Sequence, residues 1–529
     1  MPLPRERSLA EQVEAAATEV RLADKELLAM PSVLEYLNKF RNENVFGSVE
    51  HDKTVKANPK AFDFAQPQSE EEVDEFVNSR LKEAREACDL TDEQYEPFVA
   101  LVQAHRDALR IRLGRDHAAK VAPLKIKLRE GAIPKRLRNS GMNPSAKEQM
   151  NEQTDQLESI GLVYRNKSAR WVAVARMVPK PGGAPGELRM IIDYRYLNSL
   201  TEPIQGPMPI LEEEVKKCQG AKYFLSFDFL KGFYQIPIHE ESQHYFSFMT
   251  DRGVFTPTRL PQGAVDSPIY FHACISEIFS DLIAEGKMLL WIDDGIVFAK
   301  SWDEFLGLME RVFKKCLDYN LKLNIKKTCL ANTSATWCGR VIDGEGCRLQ
   351  ARNTDTFRKM SEPRLAGELS QFLQGVNWMR NSLTNRGAHD NFAFHSSVLW
   401  ELLETVYQKA KSRKRNRFKN LVLRDIGWSE AHSIAFNAIK GLLAECQTNA
   451  FPVPGARMCL FTDASERFYA AMLTQVVNWE EGKHVSEQQH VPLATLSGEF
   501  KNSEIRWRIN EKEAYQIIRA IEDWEYLLI

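Results

Sequence analysis

"LLWIDDGIVFA", residues 289–299, decides the fold. Apolar on both flanks, it reads as two buried strand segments, yet Asp293 and Asp294 interrupt it at its centre. Adjacent carboxylates in such a run have two explanations: a solvated hairpin turn carrying an Asp-Gly signal, or a positive charge held at that point. Upstream, "AKYFLSFDF" (221–229) predicts a strand with Phe224, Ser226 and Asp228 on its more polar face and Tyr223, Leu225 and Phe227 on the other. "LPQGAVDSP" (260–268) opens a helix, with Ser267 as N-cap, Pro268 in the first helical position, and Phe271, Ile275, Ile278 and Leu282 as one apolar stripe up to Gly286. "WVAVARMV" and "LRMIIDY" flank the loop "PKPGGAPGE" as a hairpin from about Trp171 to Tyr194, and "EFLGLMERVFKKCLDYN" (304–320) follows the opening stretch as a helix. The order strand, helix, hairpin, helix predicts an α+β domain whose antiparallel sheet is covered by helices on one face.

If the strand ending at Asp228 lies beside the hairpin, three carboxylates converge on one sheet edge. Like charges about 4 Å apart repel by about 4 kcal/mol at an effective dielectric near 20, and divalent cations relieve that repulsion. Ligands that are all oxygen suit Mg²⁺. Two such ions, roughly 3.5–4 Å apart, serve an in-line phosphoryl displacement, which is the chemistry of nucleotidyl transfer.

The rest of the chain sets bounds. A length of 529 residues predicts several domains, and 43% hydrophobic with 27% charged residues is an ordinary globular composition. A net charge of -2 supplies no global attraction to nucleic acid, so any basic surface is local. The nine cysteines form no C-x-x-C pair and no zinc-spaced cluster, which predicts reduced thiols and no structural zinc. An apolar signal region and an 18-residue apolar run are both missing from the sequence, so neither secretion nor membrane insertion is expected, and the location is read as cytosolic or nuclear. Leu9, Val13, Ala16, Val20, Ala23 and Leu27 predict a helix before Pro31, either amphipathic or coiled-coil. "SEEEVDEF" from Ser69 and "TDEQYEPF" from Thr91 carry capping-box spacing, making the first 120 residues mainly helical. "KAKSRKRNRFK" (409–419) is a phosphate contact, a solvated insertion or a nuclear-import signal, and "MCLFTDAS" (458–465) opens a last domain.

Taken in order, "LRMIIDYRYLN", "FDFLKGFYQI", "LPQGAVDSPIYF", "WIDDG", "LKLNIKK" and "WCGRVI" resemble the reverse transcriptase of gypsy-type long-terminal-repeat retrotransposons, and more distantly that of retroviruses. The similarity runs from near Leu90 to the C-terminus and leaves about the first 85 residues outside. It implies an α+β right-hand polymerase with fingers, thumb and an antiparallel palm sheet backed by helices. A partial ribonuclease H-like α/β domain follows, and a helical N-terminal extension precedes. The implied division is 1–89 extension, 90–140 pre-polymerase linker, 141–350 fingers and palm, 351–455 thumb and connection with the basic insertion, and 456–529 partial ribonuclease H.

Carried over position by position, the resemblance makes Asp228, Asp293 and Asp294 the catalytic, metal-binding carboxylates, with the carbonyl of Phe229 as a further ligand. Phe233 corresponds to the aromatic gate against a ribose 2′-hydroxyl, with a core aromatic as the alternative. Lys180 and Arg189 match the triphosphate grip, Gln262 borders the nucleotide pocket, and Lys327 is either a pyrophosphate contact or a solvated surface lysine. Trp337 and Gly339 match the primer grip. Three residues depart from the pattern: Trp291 stands where tyrosine is usual, and Cys338 and Arg340 flank Gly339 in place of leucine and histidine. Asp463 and Glu513, with Glu511 as a rival to the latter, match two ribonuclease H carboxylates; the remaining aspartates are not reached by Ile529, so an inactive nuclease is expected. "LSQFLQGVNWMRNSL" and "IGWSEAHSIAFNAIKGLL" resemble the connection segment.

The implied activity is RNA-directed DNA polymerisation with dNTPs, two Mg²⁺ ions (Mn²⁺ as a substitute) and an RNA/DNA template-primer. Element-encoded protease, integrase and capsid are the implied partners, with no membrane, in a cytoplasmic particle that enters the nucleus. The alternative is a decayed or co-opted nucleic-acid-binding or assembly protein derived from such an element. The sequence contains no D-T-G or D-S-G protease motif, zinc knuckle or integrase His/Cys cluster.

Overall fold

The computed structural model describes residues 69–135, 141–180, 186–446 and 448–528. The helix expected over Leu9 to Leu27 and the centre of the Gly/Pro loop, residues 181–185, lie outside the described residues. The described chain falls into two compact units, and the first comprises Leu128–Thr201 and Glu240–Ala264. Its five-stranded sheet has the order Val163–Arg165, Gly253–Pro257, Phe248–Thr250, Ala173–Pro179, Leu188–Ile192. The expected hairpin is its outer pair, in antiparallel register from Ala175 opposite Ile192 to Pro179 opposite Leu188. The Pro144–Ser159 helix starts as its sequence dictates: Asn143 caps Ala146 N–H at 2.7 Å, and Pro144 occupies the position where a missing N–H costs nothing.

The second unit holds residues 69–127, Glu202–His239 and 265–528. Its central sheet is antiparallel in the order Cys329–Asn332, Tyr223–Asp228, Asp294–Ala299, Met288–Trp291. The Trp302–Asp318 helix packs on two of these strands. Ser301 caps Glu304 N–H at 3.4 Å, and Phe305, Met309, Val312, Phe313 and Cys316 are buried at helical spacing. The edge strand Cys329–Asn332 is covered by the Glu70–Cys88 helix, which is one way a sheet protects an unpaired edge. That helix begins at the expected Ser69 cap (3.0 Å to Glu72 N–H) and buries Val73, Val77, Leu81 and Ala84. The next helix, Asp92–Ala104, opens with the Thr91–Gln94 capping box anticipated from the sequence.

Two expectations about the helix after "LPQG" are corrected. The helix runs Ser267–Ile278 with Asp266, not Ser267, before its first turn. Asp266 caps nothing there; its carboxylate, 2% exposed, instead accepts the Ile204 N–H at 3.0 Å. The apolar stripe does not belong to one helix either: the chain breaks at Phe279 and resumes as Ser280–Ala284, although Phe271, Ile275, Ile278 and Leu282 are all buried as predicted.

Beyond the palm sheet, Ala335–Trp337, Arg340–Ile342, Gly346–Leu349 and Asn449–Ala450 form a second antiparallel sheet. A bundle of Ala366–Met379, Phe392–Ala410 and Glu430–Ala444 precedes a three-stranded sheet, Arg457–Ala464, Phe468–Val476 and Val491–Glu499. The Ile509–Asp523 helix covers that last sheet, and Ala520 and Trp524 join Leu473, Leu493 and Leu496 in its core.

Candidate active site

Register places Asp228, the last residue of its strand, directly opposite Asp294, the first residue of the second hairpin strand. Opposed residues on neighbouring strands hold their Cβ atoms about 4.5–5.5 Å apart, so two carboxylates face each other across the sheet edge. The hairpin turn sits two residues earlier than the Asp-Gly signal at Asp294-Gly295 suggested. Trp291 pairs with Asp294, leaving Ile292 and Asp293 as a two-residue tip. Ile292 takes φ 54°, a conformation that costs a β-branched residue on the order of 1–3 kcal/mol, and it is held there by burial at 4% exposure. The Phe229 N–H donates to the Asp293 carbonyl at 3.3 Å and joins the tip to the end of the Asp228 strand.

Gly295 is therefore a strand residue opposite Leu290 and Phe227. What requires glycine here is packing: a Cβ on Gly295 would stand 2.4 Å from the Phe227 ring. Phe227 in turn lies edge-to-face with Phe229 at 5.5 Å, and Phe229 with Phe271 at 5.8 Å, so an aromatic stack supports the carboxylates from beneath. Phe233 joins that stack through Phe271 at 5.5 Å, and its ring is half-buried. The Phe229 carbonyl accepts the Gly232 N–H at 3.2 Å and keeps a second lone pair.

Lys327 Nζ stands 3.1 Å from Asp228 Oδ2, with the lysine mostly exposed and the aspartate mostly buried. Among the described residues no group of three or more His, Cys, Asp or Glu side chains is drawn together tightly enough to hold an ion, and Asp228 takes the Lys327 ammonium as its counter-charge. The donor set is nevertheless one that suits a hard divalent cation: carboxylate oxygens and a main-chain carbonyl, without sulfur or imidazole.

Trp337 is 1% exposed, and its indole N–H donates to the carbonyl of Asp294 at 3.2 Å. The turn after it, Cys338–Gly339, has positive φ at both residues (48° and 77°), and a Cβ on Gly339 would meet Asn353 at 2.8 Å and Trp378 at 2.9 Å. The departures from the pattern find structural uses. Trp291 packs against the cluster of Phe224, Leu289, Phe298 and Trp337. Arg340 is buried and paired with Glu212 at 2.7 Å.

The other nucleotide-binding candidates lie in the first unit. Lys180 pairs with Glu187 across the hairpin, Arg189 sits half-buried opposite Val178, and Gln262 is exposed beside Gly263, whose φ is 93°. The strand bearing Arg189 is held by two residues that sequence reasoning missed. Gln149 and Gln153, four apart on the Pro144–Ser159 helix and both buried, act as a surrogate neighbour strand. Gln149 donates to the Gly186 carbonyl at 3.2 Å and accepts from Leu188 N–H at 3.3 Å. Gln153 donates to the Leu188 carbonyl at 3.3 Å and accepts from Met190 N–H at 3.0 Å. The burial that marks them out is a tertiary fact, and two glutamines four apart on a polar helix give no sequence signal of it. A Gln153→Leu chain, similar in volume, is expected to lose about 1–2 kcal/mol locally. Amide exchange of Leu188–Ile192 should accelerate accordingly, and unchanged protection would remove the role.

In the last domain, Asp463 is the exposed penultimate residue of its strand, and its Oδ2 accepts the Ala388 N–H at 2.6 Å. Glu513 Oε1 accepts from Ala464 N–H at 3.3 Å, next to Asp463 in the chain. Glu511 is committed elsewhere, accepting the Arg508 N–H at 2.7 Å at the start of its helix.

The chain has the fold of a reverse transcriptase followed by an RNase H-like domain. It resembles the foamy viral protease-reverse transcriptase in complex with RNA/DNA hybrid (TM-score 0.69, 21% identity, 85% of this chain and 56% of that one) and the same protein in complex with dsDNA (TM-score 0.69, 21% identity, 88% of each chain). Residues 178–342 match the family described as reverse transcriptase (RNA-dependent DNA polymerase), and residues 428–529 match the RNase H-like domain found in reverse transcriptase. The chain thus carries both domains in the order of a gypsy-type Pol polyprotein. Among curated relatives are the Transposon Tf2-3 and Tf2-7 polyproteins of Schizosaccharomyces pombe, each 25% identical over 395 residues. The alignments take in 74% of this chain, which spans about a quarter (27%) of those polyproteins' length.

Proposed function

We propose that this chain is an RNA-directed DNA polymerase that extends a DNA primer on an RNA or DNA template. The observation that carries the reading is the register of Asp228 opposite Asp294, with Asp293 at the adjoining tip, inside residues that match the reverse transcriptase family. Asp228, Asp293, Asp294 and the Phe229 carbonyl would hold divalent magnesium, with manganese as a substitute. Bound there, two such ions supply Lewis acidity to the primer hydroxyl and the departing pyrophosphate.

The protein's own groups do the rest. Buried Ile292 and the Phe227–Phe229–Phe271 stack hold the carboxylates rigidly, so their alignment needs no reorganisation at the moment of transfer. Lys327, already beside Asp228, offsets negative charge on an arriving triphosphate, and Arg189 and Lys180 grip its phosphates. Gln262 borders the base and sugar. Trp337 and Gly339 seat the primer end. The half-buried Phe233 ring leaves no room under the sugar for a 2′-hydroxyl. The domain limits given above, the element-encoded partners and the cytoplasmic particle with nuclear entry belong to the same reading. Foamy viral complexes with RNA/DNA hybrid and dsDNA support its substrate class.

The test is extension of oligo(dT) on poly(rA) by the purified chain with dTTP and Mg²⁺; no extension would sink the proposal. For the gate, a Phe233→Ala chain is expected to narrow the preference for dNTP over rNTP by at least about tenfold, since a steric filter discriminates by what it excludes. An unchanged ratio of kcat/KM values would leave Phe233 as a core aromatic packed on Phe271.

A further inference from the structure

"KAKSRKRNRFK", residues 409–419, holds seven Lys or Arg and no Asp or Glu. It leaves the C-terminal end of the Phe392–Ala410 helix and passes through the short Arg415–Phe418 helix. The run is tied down. Phe418 is 2% exposed and lies edge-to-face with Tyr407 at 4.9 Å. The Lys419 carbonyl accepts from Gly367 N–H at 3.1 Å, and the Leu421 carbonyl from Ala366 N–H at 2.9 Å. Gly367 permits this approach: a Cβ there would stand 2.9 Å from Lys419 Cβ and 3.0 Å from its carbonyl oxygen.

Charge compensation stops short of the run's needs. Arg413 pairs with Glu404 at 2.9 Å, and Lys409 donates to the Asp425 carbonyl at 3.3 Å. Lys411, Lys414, Arg417 and Lys419 are exposed and form no ion pair with any described residue. Cations spaced within a Debye length of about 10 Å repel one another, and a solvated insertion would relieve that repulsion by spreading out. Here a buried phenylalanine and main-chain bonds concentrate the charge instead. The backbone is also turned rather than extended, with Arg417 N–H on the Lys414 carbonyl and Lys419 N–H on the Arg415 carbonyl, both at 2.9 Å. That favours a rigid polyanion over capture of the run as an extended peptide.

We propose that residues 409–419 are a phosphate-backbone contact for the nucleic-acid duplex, an assignment that rests on the polymerase reading above. At its N-terminal end the same 19-residue helix adjoins Asn391 and the loop whose Ala388 N–H holds Asp463. A helix of that length spans about 28 Å, or roughly eight base-pair steps of about 3.4 Å. A hybrid of about 25 base pairs is therefore long enough to reach the basic run, a spur on the end of this helix, from that end.

The experiment measures binding of the full chain to such a hybrid, by fluorescence anisotropy across a KCl series without dNTPs. Neutralising the spur with Lys411→Gln, Lys414→Gln and Arg417→Gln together is expected to flatten the log–log salt slope by about 2 to 3, close to one phosphate per charge removed. Lys411→Arg with Lys414→Arg should keep the full slope. Matching circular dichroism and melting of each variant exclude a folding defect. Extension of oligo(dT) on poly(rA) by the unaltered chain is read separately from the salt slope, so failure of the polymerase reading and failure of this one are distinguishable. An unchanged slope in the triple variant overturns the assignment; nuclear accumulation of a fluorescent fusion would then test the run as an import signal.

Discussion

An Asp293→Asn chain is expected to extend oligo(dT) on poly(rA) at least about a thousandfold more slowly than the unaltered chain, a barrier higher by about 4 kcal/mol. The substitution removes one negative charge and keeps the side-chain shape. It also spares two contacts that hold the tip: the bond from Phe229 N–H goes to the Asp293 main-chain carbonyl, and the buried side chain at the tip belongs to Ile292. Hybrid binding and melting should therefore match those of the unaltered chain while turnover collapses. Equal extension by the two chains would remove Asp293 from the chemistry and with it the proposed arrangement of carboxylates.

The second large effect is on stability. Gly295→Ala in an open strand would be mildly favourable, by roughly 0.5–1 kcal/mol, because glycine loses the most backbone freedom on folding. Here the added carbon meets the Phe227 ring at 2.4 Å, and Phe227 is 3% exposed and backed by Phe229. Overpacking of this kind costs about 3 kcal/mol. Amide protection across Asp294–Ala299 should fall by about a hundredfold, a local measure that suits a chain of several domains. Phe227→Leu opens space on the opposing strand, so the double variant should recover about 1–2 kcal/mol as a coupling energy. Protection that rises in Gly295→Ala alone would contradict the packing account.

Much of the core was legible in the sequence because short-range rules generate it. Ser69 announced a helix start through a side-chain oxygen that accepts a free N–H, Thr91 through the Gln94 amide oxygen that reaches back to the Thr91 N–H, and the alternation of Tyr223–Asp228 announced a strand ending in a carboxylate. Pairing that strand with the hairpin was a long-range step, taken from charge and then strengthened by the order of six motifs. The errors came where one signal has two physical causes. Glycine after two aspartates is a turn marker, yet Gly295 is there to admit a phenylalanine from the next strand. Aspartate and serine both cap helices, but Asp266 is drawn off by Ile204, which lies 62 residues earlier in the chain. Gln149 and Gln153, and the hold of Asp463 on Ala388, were illegible because each joins segments distant in sequence through a side chain and a main-chain group. Periodicity carries no trace of such bonds.

The bond from the Trp337 indole to the Asp294 carbonyl bears on how this protein can be cut and reassembled. A break introduced between residues 300 and 334 puts donor and acceptor on different fragments, so two purified halves regain a common palm only by reburying that ring. A break in the exposed Glu480–Lys483 segment leaves donor and acceptor on one fragment. The first cut makes a complementation pair whose joining depends on one tryptophan; the second offers a place for a label that leaves the carboxylate strand undisturbed.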